Sequence, residues 1–366
     1  MPQRRIRAVY MRGGTSRCLV FHEGDLPAAG PERDRILLAA LGSPDPYGRQ
    51  LDGLGGGISS LSKACIIGPA THPGAQVDYT FAQVEVKQPR VDYTGNCGNC
   101  SSAVGPFAID ERLVPAAEGE TVIRIHNTNT KKLIVAHVPV QGGEAAVSGD
   151  FELPGVPGRG ARIALDFLDP GGARTGRLLP TGRPLDTVEG VAASLVDATN
   201  PTVFVRAKDL GLTGTETPEA VDANRALGER LERIRTVAAE MMGIGGSAAT
   251  PKIAVVAPPQ AFAALDGARY DPDHVDVVAR VISMGNCHRA FALTAAMCLA
   301  VAARIDGTVV RECVNARDGA DVRLGHPSGV LPLDARVRIR DGRPWAEQVT
   351  VYRTARRLME GWVRVP

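Results

Sequence analysis

Apolar and polar residues alternate most regularly along Val77-Asp78-Tyr79-Thr80-Phe81-Ala82-Gln83-Val84-Glu85-Val86. The spacing is close to period two, which puts one set of side chains on a buried face and predicts a strand. Similar β signals lie at residues 6–10, 121–126, 132–138, 203–207, 252–256 and 335–339. Apolar positions three and four apart predict helices over residues 32–41, from just after Cys97 to near Leu113, over 220–242 and over 289–304. Gly and Pro, 41 and 26 in number, cut the remainder into short pieces, with no low-complexity segment among them. Many strands around few helices predict an α+β fold.

Sliding the chain against itself shows a long-period repeat at an offset of about 190 residues. Gly53-Leu54-Gly55-Gly56 returns as Gly243-Ile244-Gly245-Gly246, and Lys63-Ala64-Cys65-Ile66-Ile67-Gly68-Pro69 returns as Lys252-Ile253-Ala254-Val255-Val256-Ala257-Pro258. Gly95-Asn96-Cys97 returns as Gly285-Asn286-Cys287. The order helix, Gly-rich turn, Lys-led apolar strand, Gly-Asn-Cys, helix therefore occurs twice, which predicts two similar domains. The Pro/Gly-rich residues 178–184 are the expected first crossing, giving domains over 1–183 and 184–351, with 352–366 crossing back to complete the first.

The 366 residues carry 42 basic and 40 acidic side chains with the signs interspersed, so the chain has no electrostatic footprint for nucleic acid or an acidic membrane face. No run approaches the roughly 20 apolar residues that span a bilayer. The N-terminus lacks the apolar core of a secretory signal, so a cytoplasmic location is expected. Only six of the basic residues are Lys (Lys63, Lys87, Lys131, Lys132, Lys208, Lys252), which makes each worth examining. Seven cysteines, an odd number in a chain too large to need disulfide staples, are expected as free thiols.

Gly95-Asn96-Cys97-Gly98-Asn99-Cys100-Ser101-Ser102 precedes a predicted helix, whose first backbone N–H groups lack intrahelical partners and favour anions. A cysteine there is biased toward thiolate. Cys97 is thus a candidate acid, base or nucleophile; the alternative is that Asn and Ser cap the helix and the cysteines only pack. The Cys97-x-x-Cys100 spacing also admits a redox pair, which would want a βαβ context, or zinc with Cys287 and His288, for which adjacent ligands are poor geometry. Lys63 follows Ser62 at the head of an apolar run, where partial burial disfavours an ammonium and suits a general base; the alternative is a strand-end Lys reaching solvent. Arg12-Gly13-Gly14-Thr15-Ser16-Arg17 suits a carboxylate and lacks the spacing of a phosphate loop. Gly325-His326-Pro327-Ser328-Gly329 is a second turn of that character or an ordinary surface turn.

Taken together, Met11-Arg12-Gly13-Gly14-Thr15-Ser16, Gly42-Ser43-Pro44-Asp45, Asp52-Gly53-Leu54-Gly55-Gly56, Ser62-Lys63, Asn96-Cys97-Gly98-Asn99 and Val104-Gly105-Pro106-Phe107-Ala108-Ile109 resemble the PrpF family. That family includes 2-methylaconitate isomerase, 3-methylitaconate isomerase and 4-oxalomesaconate tautomerase. The resemblance continues through Ser283-Met284-Gly285, His288-Arg289-Ala290 and residues 325–329, and so covers nearly the whole chain. It implies the diaminopimelate-epimerase-like fold, two related domains each with a curved sheet around a central helix, and a cofactor-free, metal-free isomerase in which Lys63 and Cys97 handle protons. The chain departs from the family pattern at Arg17-Cys18, where Lys-Gly is frequent, and at the additional thiol of Cys100. Cys287 is the repeat partner of Cys97, but the flanking motif does not call for a Cys there.

The leading expectation is a 1,3-allylic proton shift, giving double-bond migration or cis-trans isomerisation, on a small unsaturated di- or tricarboxylate such as methylaconitate, methylitaconate or oxalomesaconate. Lys63 removes a proton, and Cys97 delivers one or stabilises its transfer at the other end of the allylic system. N–H groups of the two helix N-termini, with Arg12, Thr15, Ser16, Ser62, Asn96, Gly98, Asn99, His288, Ser328 and Gly329, hold the carboxylates and the dienolate charge. A two-thiol racemase or epimerase using Cys97 and Cys287 is the first alternative, and a carboxylate-binding protein without turnover the second. The only partner expected is the small carboxylate, with a homo-oligomer left open.

Overall fold

A computed structural model describes residues 3–245, 250–283, 285–315 and 320–366. Gly246 of the repeat and Met284 of the second-half motif lie outside the described residues. The chain divides into two compact units, Met1–Asp166 with Tyr352–Pro366, and Phe167–Val351. Residues 178–184 lie inside the second unit, because the first crossing runs within a strand, Ile163–Leu168, rather than through the Pro/Gly-rich stretch.

In the first unit, Arg4–Gly13 pairs antiparallel with Ser16–His22 on one side and with Ala355–Val365 on the other. Ser16–His22 pairs parallel with Lys63–Pro69, which pairs antiparallel with Val77–Val84. Val77–Val84 in turn runs parallel to Gly119–Asn127, and that strand antiparallel to Lys132–Gln141. The strand alternation divides the core. Leu19, Phe21, Ala64 and Ile66 face the Pro31–Leu41 helix, where Ile36, Leu37, Ala40 and Leu41 cover them. That helix starts on Pro31 with Glu32 and Asp34 in its first turn, and ends on Gly42 in the left-handed conformation, whose N–H caps Ala39 and Leu38. Removing a side chain such as Leu37 from this layer would cost about 2–5 kcal/mol.

The opposite face of the sheet wraps the Gly98–Asp110 helix, which is buried at Gly98 and from Cys100 to Ile109. A helix buried around its whole circumference belongs inside a domain. Gly105 allows close approach to the sheet, since a Cβ there would lie 2.7 Å from Val138 Cγ2.

The second unit repeats this order. Val191–Ala198 pairs antiparallel with Asn200–Arg206, which runs parallel to Lys252–Ala257; that strand is antiparallel to Val277–Ser283, which is parallel to Val322–His326, and this last is antiparallel to Gly329–Arg340. The buried central helix is Leu293–Ala302, and the outer one is Arg225–Met241, whose Leu227, Leu231, Ile234 and Ala238 pack on the sheet. The duplicated topology is the two-domain, curved-sheet α+β architecture that the sequence resemblance implies. Two helix predictions change. Residues 220–242 break at Asn224, whose side chain leaves the first segment to accept Leu227 N–H and start a second helix. The 289–304 helix starts four residues late, at Leu293. Among the described residues no helix is long and apolar enough to cross a membrane.

Candidate active site

The first unit gathers its candidate residues where three segments meet: the Gly14-Thr15 turn joining the first two strands, the N-terminus of the Gly98–Asp110 helix, and the start of the Lys63–Pro69 strand. Gly14 has φ of 53°, which suits the first position of a two-residue hairpin. Its neighbour Gly13 makes room for the helix, since a Cβ there would lie 2.6 Å from Asn99 O. The two glycines thus let the turn sit directly on the helix terminus.

Cys97 is the N-cap of that helix, with extended backbone, and its sulfur accepts Cys100 N–H at 3.4 Å. Its thiol is held well below the usual range: the hydrogen bond from the Cys100 thiol contributes most, followed after the opposing effect of burial by the Lys63 charge and the N–H groups of Cys100 and Asn99. Cys97 is half-buried, whereas the other six cysteines are buried. Beneath it, the sulfurs of Cys18, Cys65 and Cys100 lie within 4.8 Å of one another. Burial pushes the Cys65 and Cys100 thiols up. This sulfur-only triad has the donor set of a soft metal ion, but it is sealed in the core.

Lys63 is 8% exposed and donates from Nζ to Gln83 Oε1 at 2.5 Å, with its ammonium 5.0 Å above the Phe81 ring. Lys63 and Gln83 are direct cross-strand partners, so their side chains share a face. Gln83 is oriented in turn by donating from Nε2 to Ser62 O and Ser59 O. Ser62, expected as a substrate contact, is enclosed by its own neighbours. It has no exposure, and its hydroxyl donates to Val84 O at 2.8 Å and accepts Gln50 Nε2 at 2.7 Å.

Asn99 donates from Nδ2 to Thr15 Oγ1 at 3.1 Å and accepts Arg353 Nε at 3.0 Å, so its amide is held from both sides. Arg353 is buried, also donates to Tyr352 O, and is lowered to about 10 by that burial, with the Cys97 charge acting the other way. Arg12 donates to Gly14 O and Thr354 O, which clamps the turn. Thr15 is exposed, Ser16 and Gly98 are buried, and half-buried Asn96 accepts a long bond from Ser101 Oγ at 3.4 Å. Sequence reasoning missed Gln83 and Arg353; the alternation that defines the Val77–Val84 strand carried a signal for the former.

His288, Ser328 and Gly329 lie in the second unit. His288 accepts Ala290 N–H on Nδ1, and its imidazole is held below the usual range by partial burial and then by the Lys252 charge. Lys252, the repeat counterpart of Lys63, donates to Ser283 Oγ at 2.8 Å. Ser328 donates to Arg289 O at 2.6 Å, and Gly329 pairs with His326 across the turn. Cys287 differs from its counterpart. It sits in the short strand Asn286–Cys287, five residues before the Ala292 N-cap, and burial pushes its thiol up to about 11.

The profile of the PrpF protein family matches residues 3–366. The chain is 45% identical to 3-methylitaconate isomerase of Eubacterium barkeri, covering 99% of this chain and 98% of that protein. It is 40% identical to 2-methyl-aconitate isomerase of Shewanella oneidensis, covering 100% and 98%. The crystal structure of a methylitaconate-delta-isomerase superposes with a TM-score of 0.91 at 45% identity, over 100% of this chain and 96% of that one. A hydroxyproline epimerase from Agrobacterium vitis shares the fold at a TM-score of 0.53 and 16% identity, covering 99% and 93%.

Proposed function

This chain belongs to the PrpF family and is an isomerase, and from that premise we propose that it moves a proton across the allylic system of a small unsaturated di- or tricarboxylate. The reading is carried by Cys97 at a helix N-terminus, where its thiol is held below the usual range with the Lys63 charge among the causes. Such a pair holds one proton between two groups. In one direction Cys97 accepts the substrate proton and Lys63 donates at the other end of the three-carbon unit. In the reverse direction Lys63 is the base and Cys97 the acid, as microscopic reversibility requires. The dienolate formed between the two steps is anionic, and so are the substrate carboxylates. The helix N-terminus, Thr15, Asn99 and the buried Arg353 supply the donors and positive charge that such an anion needs.

Methylaconitate and methylitaconate are the substrates named for the two relatives, and either fits this chemistry. Oxalomesaconate belongs to the same class. The two-thiol epimerase reading has less support, because Cys287 has a raised thiol and no helix terminus to favour its thiolate. Proton NMR in deuterated buffer with these three acids tests the proposal. One acid should exchange its allylic protons and isomerise, and Lys63→Ala and Cys97→Ala should each abolish both. Exchange that survives in both variants, or no exchange with any of the acids, would sink the assignment.

A further inference from the structure

We propose that Cys97 and Cys100 form an oxidation site, at which a hydroperoxide oxidises Cys97 and Cys100 closes an intramolecular disulfide that is reversible by thiols. The argument starts from access. Among the described residues Cys97 is the only cysteine that is not buried, so an oxidant from solvent meets this residue before the others. Its sulfur lies at the N-terminus of the Gly98–Asp110 helix, accepting Cys100 N–H at 3.4 Å, which favours the nucleophilic thiolate. That backbone bond places the two cysteines side by side before any chemistry begins. Cysteines three apart at a helix start have backbone positions that a disulfide can span with side-chain rotation alone.

The chemistry balances without further components. The Cys97 thiolate attacks one peroxide oxygen, the O–O bond breaks, and the departing oxygen leaves as water or an alcohol after taking a proton. Sulfur has lost two electrons and is a sulfenic acid; the peroxide has been reduced. Cys100 then loses its proton, its sulfur attacks Cys97 Sγ, and the S–O bond breaks with release of water. Two thiols and one hydroperoxide have become a disulfide, water and an alcohol, or two waters when the oxidant is hydrogen peroxide.

Cys100 is suited to the second step because it is sealed from solvent. It has no exposure, and burial keeps its thiol protonated, so it does not compete for the oxidant and acts once Cys97 carries a leaving group. Cys18 and Cys65 lie behind it, within 4.8 Å of its sulfur, and could relieve the bond only after Cys100 has reacted. The disulfide removes the thiolate from Cys97, so oxidation would stop proton transfer while protecting that sulfur from irreversible sulfinic and sulfonic acids. The loss of turnover rests on the isomerase reading above; the bond itself does not.

The test uses the intact, reduced chain treated with hydrogen peroxide, denatured, alkylated with iodoacetamide and digested with trypsin. Residues 91–112 form one peptide holding Cys97 and Cys100 and no other cysteine. The expected product is this peptide lighter by two hydrogens and unalkylated, with the alkylated form restored by dithiothreitol. Cys97 carried to sulfinic or sulfonic acid with Cys100 alkylated would overturn the proposal, as would a link from Cys97 to Cys18 or Cys65, or two intact thiols. In Cys100→Ala, which keeps the backbone N–H, the same treatment should drive Cys97 to the irreversible acids; the wild-type peptide decides the matter if that variant does not fold. Allylic exchange measured in parallel should fall at least tenfold and recover with dithiothreitol. A disulfide with undiminished exchange would count against the isomerase roles and leave the oxidation site standing, whereas undiminished exchange without a disulfide would do the reverse.

Discussion

The two units share a strand order, a buried central helix and a Lys at the start of the equivalent strand, yet their Gly-Asn-Cys segments end differently. In the first, Cys97 caps the helix and its sulfur takes a backbone N–H. In the second, Cys287 is spent in a two-residue strand, its N–H is given to Asp222 Oδ1, and the helix begins at Leu293. The consequence is opposite: one thiol held well below the usual range, the other pushed up to about 11. A duplicated scaffold therefore does not duplicate reactivity: the Cys100 thiol, the Lys63 charge and the backbone N–H groups of Cys100 and Asn99 lower Cys97, whereas burial dominates at Cys287. The lysines diverge too. Lys63 faces Gln83 and lies over Phe81, whereas Lys252 is tied to Ser283.

The strongest way to break this asymmetry is to delete each thiol. Cys97→Ala should lower kcat by about 10²–10⁴-fold, the usual contribution of a positioned proton-transfer group, while Cys287→Ala leaves it within about threefold. Equal losses in steady-state assays would restore the two-thiol reading. Next comes the lysine pair: Lys63→Ala should cost a similar hundredfold or more, and Lys252→Ala much less, measured by deuterium exchange into substrate.

Arg353 sharpens the comparison from the second rank of residues. Arg353→Met leaves Asn99 Oδ1 without its buried donor, and a charged hydrogen bond of this kind is worth about 1.5–3 kcal/mol, so kcat/KM should fall by roughly 10–100-fold. Turnover that stays at the wild-type level would show that Asn99 needs no such support.

A smaller effect is expected in pH dependence. With its folded value lowered, the Cys97 thiolate contributes stability that is complete above the ordinary thiol value of 9.0 and is lost as pH falls through the lowered value. Alkylation of Cys97 by iodoacetamide should accordingly stay fast as pH falls below the ordinary thiol value of 9.0. In Lys63→Ala, which removes the ammonium, the profile should move to higher pH; an unmoved profile would remove Lys63 from the account. Smallest is Ser62→Ala, expected to destabilise by about 1–3 kcal/mol through the unpaired Val84 carbonyl and Gln50 amide while leaving turnover in place, as thermal unfolding and rate assays would show.

Much of the site was legible because it is local. A Cys before a helix, a Lys heading an apolar strand and a Gly-Gly turn all show in neighbouring residues, and family motifs sharpened them. What was hidden arises from pairing across long stretches of chain. Gln83 reaches Lys63 through antiparallel register, and Arg353 reaches Asn99 from a segment 254 positions away. The sulfur triad is equally non-local: Cys18 and Cys65 share a face because of parallel register, and Cys100 meets them from the helix. The repeat identified Cys287 as the counterpart of Cys97 but carried no information on where the second helix would begin.

The strand Ala355–Val365 pairs along the whole length of Arg4–Gly13, and Arg353 just before it holds Asn99 at the candidate site. On the ribosome, the first unit therefore emerges early yet cannot finish its sheet until the last segment has been translated. The second unit, continuous from Phe167 to Val351, has every strand it needs before that moment. Synthesis thus imposes an order in which the half holding Lys63 and Cys97 is the last to close, and a nascent chain stalled before residue 353 lacks the guanidinium on which Asn99 rests.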